Sequence, residues 1–522
     1  MKPFSVSSKV VVAVVAMLAA ASVVAVASGE RGTAQASRRG GNLVIVRGSD
    51  SQTFDETQMN SNPSIWVAKN IYQMLYEEGR NGKTLVPTLA TGYTLSKDKK
   101  TWTFHLRRGV RFQNGQRMTS ADVKFSVLQN MSPKSAWSFI DSTIKSISTP
   151  SPYTVVFKTK TATASFLADM SFFGNAIIPK NFAGQSKAGF YNHPIGTGPF
   201  GFYGGGVWNK GQSLKLVRNR FYWQPGKPYL HSVTWRVVGD DNARVLQLKG
   251  GQAQIDEAPP WSQVDTLRTR PGLKVGLFPA SGEEQFGFNL KKAPFNNIHV
   301  RRAVAYAIDK TALARAVLFG HSGPANSFLA PQQFGYDPYA HQPTNNVAKA
   351  RAELAKAAVP HGVTITLHPS SDRVTSTINQ ILQQDLQRVG IHVKFGVAYD
   401  PSTAFAELTK GNYDIGFSDI TTDVADPDEL ATFIVCGTCG VNAWYTGYDN
   451  KKVDAWVAAA RQQFNPAKRR ALYWKIQRQV DADVPFVFLY FDKYPYAMSA
   501  KVKGFYAYPT GFYHLENVSL SQ

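Results

Sequence analysis

Residues 363–395 read V-T-I-T-L-H-P-S-S-D-R-V-T-S-T-I-N-Q-I-L-Q-Q-D-L-Q-R-V-G-I-H-V-K-F, and their periodicity decides the fold class. Val363–Leu367 alternates apolar and polar side chains, the period-two signature of a strand. Ile378, Ile381, Leu382, Leu386 and Val389 recur at helical spacing, and Gly390 ends that run. Ile391–Phe395 alternates again. A strand, a helix and a strand of these lengths predict parallel pairing through a right-handed crossover. The chain is therefore expected to be α/β.

Tyr413–Phe417 is expected as the next strand. A polar loop, S-D-I-T-T-D-V-A-D-P over 418–427, follows it. With the next residue it carries four carboxylates, Asp419, Asp423, Asp426 and Asp428. Aspartates also cap turns, so the cluster alone does not define a site. Its position adds weight, because open α/β sheets bind ligands beyond the carboxyl ends of their strands. The apolar runs Phe286–Asn289 and Pro485–Phe491 frame this region and are candidate connections to a second domain.

A chain of 522 residues exceeds one hydrophobic core, so two or three domains are expected. Hydrophobic content of 43% and aromatic content of 12% exclude a disordered chain. The formal net charge is +22, of which residues 1–36 contribute a net +2. The basic residues are scattered and form no polybasic tract or nucleic-acid module, so no nucleic-acid partner is expected.

Lys2 and Lys9 precede an Ala/Val-rich run from Val10 to Ala27. Two small-residue sites follow, Ala25-Val26-Ala27 and Ala34-Gln35-Ala36. This is an export signal with cleavage expected after Ala27 or Ala36; the competing reading is a retained anchor. No cysteine lies near either site, so a lipid anchor on cysteine is not expected. The two cysteines, Cys436 and Cys439, are spaced C-G-T-C. In an exported chain that spacing favours a small-loop disulfide over a redox pair, and no further ligand pair supports zinc.

Enzyme chemistry finds no support. There is no H-E-x-x-H, no G-x-S-x-G and no G-x-x-x-x-G-K-[ST]. Gly196-x-Gly198-x-x-Gly201 matches the dinucleotide fingerprint by letter. No apolar strand precedes it, and Gly204-Gly205-Gly206 breaks the helix that should follow. It is read as a tight crossing between domains. No metal or other cofactor is implied.

Elsewhere, Asn42–Val46, Trp102–Leu106, Thr154–Phe157, Leu214–Arg218 and Ser232–Val238 read as strands, with Val110–Phe112 continuing the second of them. Helices are expected over Ser64–Tyr76, from a Thr119–Asp122 capping box to Met131, over Val453–Phe464, and after Asn465-Pro466. Val300, Ala303, Val304, Ala307 and Ile308 mark one more, and Asp309 caps the helix after it.

Several of these segments, in order, resemble the large solute-binding proteins of ABC importers, the peptide/nickel, oligopeptide- and dipeptide-binding family. The carriers are W-T-F-H-L-R-R-G-V-R-F-Q-N-G-Q-R-M-T-S-A-D-V-K-F over Trp102–Phe125 and Gly196-Thr197-Gly198-Pro199-Phe200. Asn219–Trp223 also matches, with Arg220 in place of a proline. So does the series from Phe288-Asn289 through Ala307-Ile308-Asp309-Lys310. The resemblance implies a periplasmic-binding-protein-like fold (type II, cluster C): a two-lobed hinge protein with an extra inserted domain. Lobe I would comprise residues 37–77, 195–288 and 485–522. The inserted domain would span 78–194 and lobe II 289–484, with the two apolar runs as hinge strands.

The implied function is extracytoplasmic or periplasmic capture of a short peptide by hinge closure, and delivery to a membrane permease with its ATPase subunits. The protein would be a monomer and no enzyme. Asp423 falls where peptide-binding members hold the ligand's α-ammonium. Asp419 and Ile420 replace a glycine and a tryptophan of the cleft, and Asp50 and Ser51 fall where lobe I runs beside a peptide backbone. The family's other ligands, nickel chelates, haem, opines and oligosaccharides, are the alternative. A secreted hydrolase or a basic adhesion protein would lie outside the family.

Overall fold

Strand β1, Asn42–Arg47, opens the described chain and buries Leu43 and Ile45 completely. The computed structural model describes residues 39–359, 362–368, 373–399, 401–439, 443 and 445–521. The expected signal, with both cleavage sites, lies outside them.

Helix α1, Asn62–Ile71, is shorter than the expected Ser64–Tyr76. Its last turn meets another backbone: the Gly198 N–H donates to the Ile71 carbonyl at 2.9 Å, and Tyr72 is extended. A Cβ at Gly198 would lie 2.7 Å from the Ile71 carbonyl carbon. The glycines of the misleading fingerprint therefore serve close backbone approach, as a tight crossing requires.

Strands β2 (Ala90–Leu95), β3 (Thr101–Leu106), β4 (Ile144–Ser151) and β5 (Thr154–Thr159) form an antiparallel sheet in the order β2-β3-β5-β4. The expected extension of β3 through Val110–Phe112 is only an isolated bridge from Arg111 to Arg117, beyond a bend at Gly109 with φ 80°. Helix α2, Ser120–Asn130, starts at the predicted capping box, where the Thr119 N–H donates to Asp122 at 2.7 Å. A short helix α3, Phe166–Asp169, follows. These elements fall within the expected inserted domain, yet Trp102, Phe104 and Phe157 join the same buried cluster as Leu43 and Ile45.

A nine-stranded sheet links the lobes. Its strands are β1, β6 (Phe200–Gly201), β7 (Val207–Asn209), β8 (Ser213–Arg218), β9 (Ser232–Val237), β10 (Ile255–Glu257), β11 (Leu273–Phe288), β14 (Ile415–Thr421) and β15 (Phe486–Ser499). The order is β14-β11-β15-β10-β1-β9-β8-β6, with β7 on β8. The two apolar runs are thus ends of two long antiparallel strands, β11 and β15, which cross from one lobe to the other. Along β15, Val487 and Leu489 enter one core while Phe486 and Phe488 enter another. Burial on both faces explains why this run is continuously apolar.

Lobe II begins with helices α4 (Ile298–Ala307) and α5 (Lys310–Leu318). The predicted face of α4, Val300, Ala303, Val304, Ala307 and Ile308, is fully buried, and Asp309 caps α5 by accepting from the Ala312 N–H at 2.9 Å. Strands β12 (Val363–Leu367) and β13 (Ile391–Phe395) pair in parallel around helix α6 (Arg373–Gln387). Helices α7 (Lys451–Gln462) and α8 (Pro466–Asp483) complete the lobe.

The strand after β13 departs from expectation. It does not end at Phe417 but runs to Thr421, because its backbone keeps pairing antiparallel with β11 as far as Gly282 opposite Thr421. Asp419 and Ile420 are therefore strand residues, opposite Glu284 and Glu283, and the loop begins only after Thr421.

Candidate functional site

The lobes meet around the end of β14. There the Thr422 N–H donates to the Ser281 carbonyl of β11 at 3.1 Å. Val424, 2% exposed, packs into the cluster that contains the lobe I core. Between the lobes, beside the long strands, is a cavity of about 470 Å³. Trp66 of α1 and Trp261 approach it from lobe I, Thr421 from lobe II, and Glu284, Tyr490 and Asp492 from the crossing strands. A concave, mostly apolar space with a few charged groups has the size and character of a small-solute site.

Two of the four clustered carboxylates are already matched. Asp426 takes both terminal nitrogens of Arg469, at 2.6 and 2.8 Å. Asp428 takes Nε and Nη2 of Arg461, at 2.9 and 2.8 Å. These are bidentate or near-bidentate ion pairs within lobe II and serve its structure.

Asp423 differs. The loop wraps around the Glu429 carboxylate, which accepts from the Thr422 hydroxyl at 2.7 Å and from the Asp423 and Val424 N–H groups at 2.9 and 3.2 Å. This fixes the backbone at Asp423, while no donor among the described residues reaches the Asp423 carboxylate. That carboxyl is partly exposed by area but densely surrounded. Burial, then the Glu429 charge, pushes its pKa well above the usual carboxylate range. The Lys69 ammonium of α1 opposes this from lobe I. Burial also raises Glu429, to about 7, despite its three donors. The result is two neighbouring carboxyl groups, neither with a hydrogen-bonding cation among the described residues, and one of them without any donor there. Such a pair can receive a cationic group from outside.

Asp50 and Ser51 are engaged by neighbours within the fold. Arg47 on β1 is 2% exposed and needs compensation: its Nη2 donates to Asp50 Oδ1 at 2.8 Å and to the Ser51 hydroxyl at 3.1 Å. The other Asp50 oxygen accepts from the Trp208 indole N–H at 2.9 Å and the Gly211 N–H at 2.8 Å. Ser51 donates to the Pro63 carbonyl at 2.8 Å. Both residues hold the loop after β1 in place. The backbone of Asp419 and Ile420 lies on β14, the terminal strand of the large sheet. Cys436 and Cys439 are joined by a disulfide just after the loop region.

The cavity-lining Trp66, Trp261, Glu284, Tyr490 and Asp492 were not singled out from sequence. The one available signal was the change from apolar to polar side chains at Asp492-Lys493, where β15 leaves the lobe II cores.

Residues 84–440 match the model of bacterial extracellular solute-binding proteins, family 5. The glutathione-binding protein GsiB of Pectobacterium atrosepticum is 30% identical over 493 residues, covering 92% of this chain and 94% of that protein. The periplasmic binding protein DppA from Helicobacter pylori, solved with the peptide STSA, is similar with a TM-score of 0.85 and 26% identity, over 94% of this chain and 100% of that one. AgaA, solved with agropinic acid, gives a TM-score of 0.81 and 26% identity over 92% and 99% of the two chains. The fold is accordingly that of the type II periplasmic binding proteins. With two lobes joined by crossing strands, a cavity between them and these likenesses over nearly its whole length, the chain belongs to the bacterial extracellular solute-binding proteins of family 5.

Proposed function

We propose that this solute-binding protein captures short peptides with a free amino terminus and presents them to the permease of an ABC importer. The observation that carries the reading is the Asp423 carboxylate, which no donor among the described residues reaches and which lies just beyond the end of an edge strand. An α-ammonium would supply the missing cation as a charge-assisted hydrogen bond in a site that closure dries. The outer edge of β14 would offer backbone groups to an extended chain, the usual way a sheet edge holds a peptide. The cavity beside Trp66 and Trp261 would take side chains. Peptide ligands of DppA and the glutathione ligand of GsiB support the same class.

Closure acts by selection: a solute that touches both lobes stabilises the closed form by its differential affinity for it. The permease then reads that form. The protein acts outside the cytoplasm as a monomer without a cysteine-linked lipid, after removal of residues 1–27 or 1–36, and performs no chemistry.

A thermal-shift screen with short peptides tests the class, and calorimetry with Asp423→Ala tests the residue. The substitution is expected to weaken a peptide with a free amino terminus roughly 10- to 100-fold and its N-acetylated form little. Equal weakening of both would remove Asp423 from ammonium binding. Stabilisation by an opine but by no peptide would favour the second reading, a non-peptide amine, which AgaA supports.

A further inference from the structure

The cavity between the lobes is walled by aromatic rings. Trp66 of α1, Trp261, Tyr490, Tyr494 and Phe319 line it. Trp66 and Tyr494 meet edge to face, with ring centroids 5.6 Å apart and planes at 80°. Trp261 stacks on His321, with centroids 5.8 Å apart and planes 26° apart. Phe319 closes α5 in the left-handed region, at φ 52°, where glycine is the usual residue, and stays 53% exposed. A large apolar ring held in that conformation, half in solvent, serves the space it borders rather than the helix it ends.

The charges in this lining are one-sided. Glu284 on β11 pairs in register with Tyr490 on β15, and Asp492 lies two residues further along β15. The period of two in a strand brings these three to one face of the crossing strands, where all of them border the cavity. Asp241 adds a third carboxylate, half-exposed and paired with Arg244. Lys493 is the one lysine or arginine among the described residues of the lining, and its ammonium donates to the His321 carbonyl. An alkyl stem with a positive end suits such a space. Ring faces attract a cation through their quadrupole and carboxylates attract it by charge, and partial exclusion of water strengthens both. A neutral alkyl group would gain neither attraction, and an anion would be repelled.

We propose that this cavity is a subsite for a cationic side chain of the solute, an alkyl ammonium or guanidinium, so that the protein prefers peptides carrying lysine or arginine. Trp66, Trp261 and Phe319 hold the stem, and Glu284 and Asp492 on the crossing strands receive the charge. That the solute is a peptide rests on the function proposed above; the preference of the cavity for a cation rests on its own lining.

The probe for the cavity is n-butylguanidinium, and n-pentanol is its neutral counterpart. Both are titrated into the solute-stripped protein and followed through the indole N–H resonances of Trp66 and Trp261. The guanidinium is expected to shift both signals and to bind about 10-fold more tightly than the alcohol. Glu284→Gln/Asp492→Asn, which keeps the shape of both side chains, should bring the two probes to within about twofold of each other. The comparison on the unaltered protein needs no variant. Equal binding of the two probes there, or indole signals that do not move, would overturn the subsite. Calorimetry with tripeptides that carry lysine or norleucine at matched positions separates this inference from the peptide reading. A lysine form that binds about 10-fold more tightly at one position supports both. Equal affinities at every position overturn the subsite and leave peptide capture standing. Binding of the guanidinium without binding of any tripeptide keeps the subsite and removes peptide capture.

Discussion

At Asp423 the physical question is what a carboxylate does when its neighbour is another carboxylate. Glu429 takes the three local donors, so Asp423 is oriented by the loop but not neutralised by it. Its raised pKa has a consequence for binding. An ammonium needs the ionised carboxylate, so the affinity for an amine-bearing solute should rise with pH as Asp423 loses its proton, and fall in acid. Calorimetry across pH should show tighter binding of an amine-bearing solute with rising pH, a trend absent from Asp423→Ala. Asp423 is the carboxylate proposed above because no donor among the described residues reaches it, its own N–H being spent on Glu429. Asp50, by contrast, is paired with Arg47, three residues earlier, which turns inward.

At the scale of elements, local signals served well where a helix or strand is decided by its own residues. The capping box at Thr119, the buried stripe of α4 and the Asn465-Pro466 start of α8, where Asn465 accepts from the Lys468 N–H at 3.1 Å, were all legible. They failed where a partner decides the end. α1 stops at Ile71 because Gly198 takes the carbonyl that a further turn would use, and β14 runs on to Thr421 because β11 continues beside it. Gly198→Ala is expected to destabilise the fold by about 1–3 kcal/mol, since its Cβ would press on the backbone of Asn70 and Ile71 rather than on a side chain that can move. A fall in the urea midpoint with unchanged slope would verify this. An unchanged midpoint would mean that the crossing is loose.

For the whole molecule, the interior holds several carboxyl groups that burial keeps protonated beyond the normal range. Glu56 is raised to about 8, and Glu78 and Asp256 to about 7. A carboxyl whose folded pKa lies above its unfolded value binds its proton more tightly in the folded state. Its contribution is fully present below the unfolded pKa and is lost as pH rises through the folded one. His514, lowered to about 4 by burial, acts in the other sense and costs stability as pH falls below the ordinary imidazole value of 6.5. Because the carboxyl groups outnumber it, the urea midpoint should decline between about pH 5 and pH 8. A midpoint that rises over that interval would show that these groups are ionised in the fold.

Periodicity, turn chemistry and ordered motifs were enough to establish an α/β chain, its parallel crossover and the two apolar runs that join its lobes. These depend on neighbours within a few residues, or on runs whose burial on both faces leaves no polar positions. The tertiary structure alone decided which acidic groups are available. Asp426 and Asp428 are matched by Arg469 and Arg461, 43 and 33 residues away. Ionic pairing over such separations leaves no periodic trace in the sequence, because it is set by how the elements pack rather than by how they form.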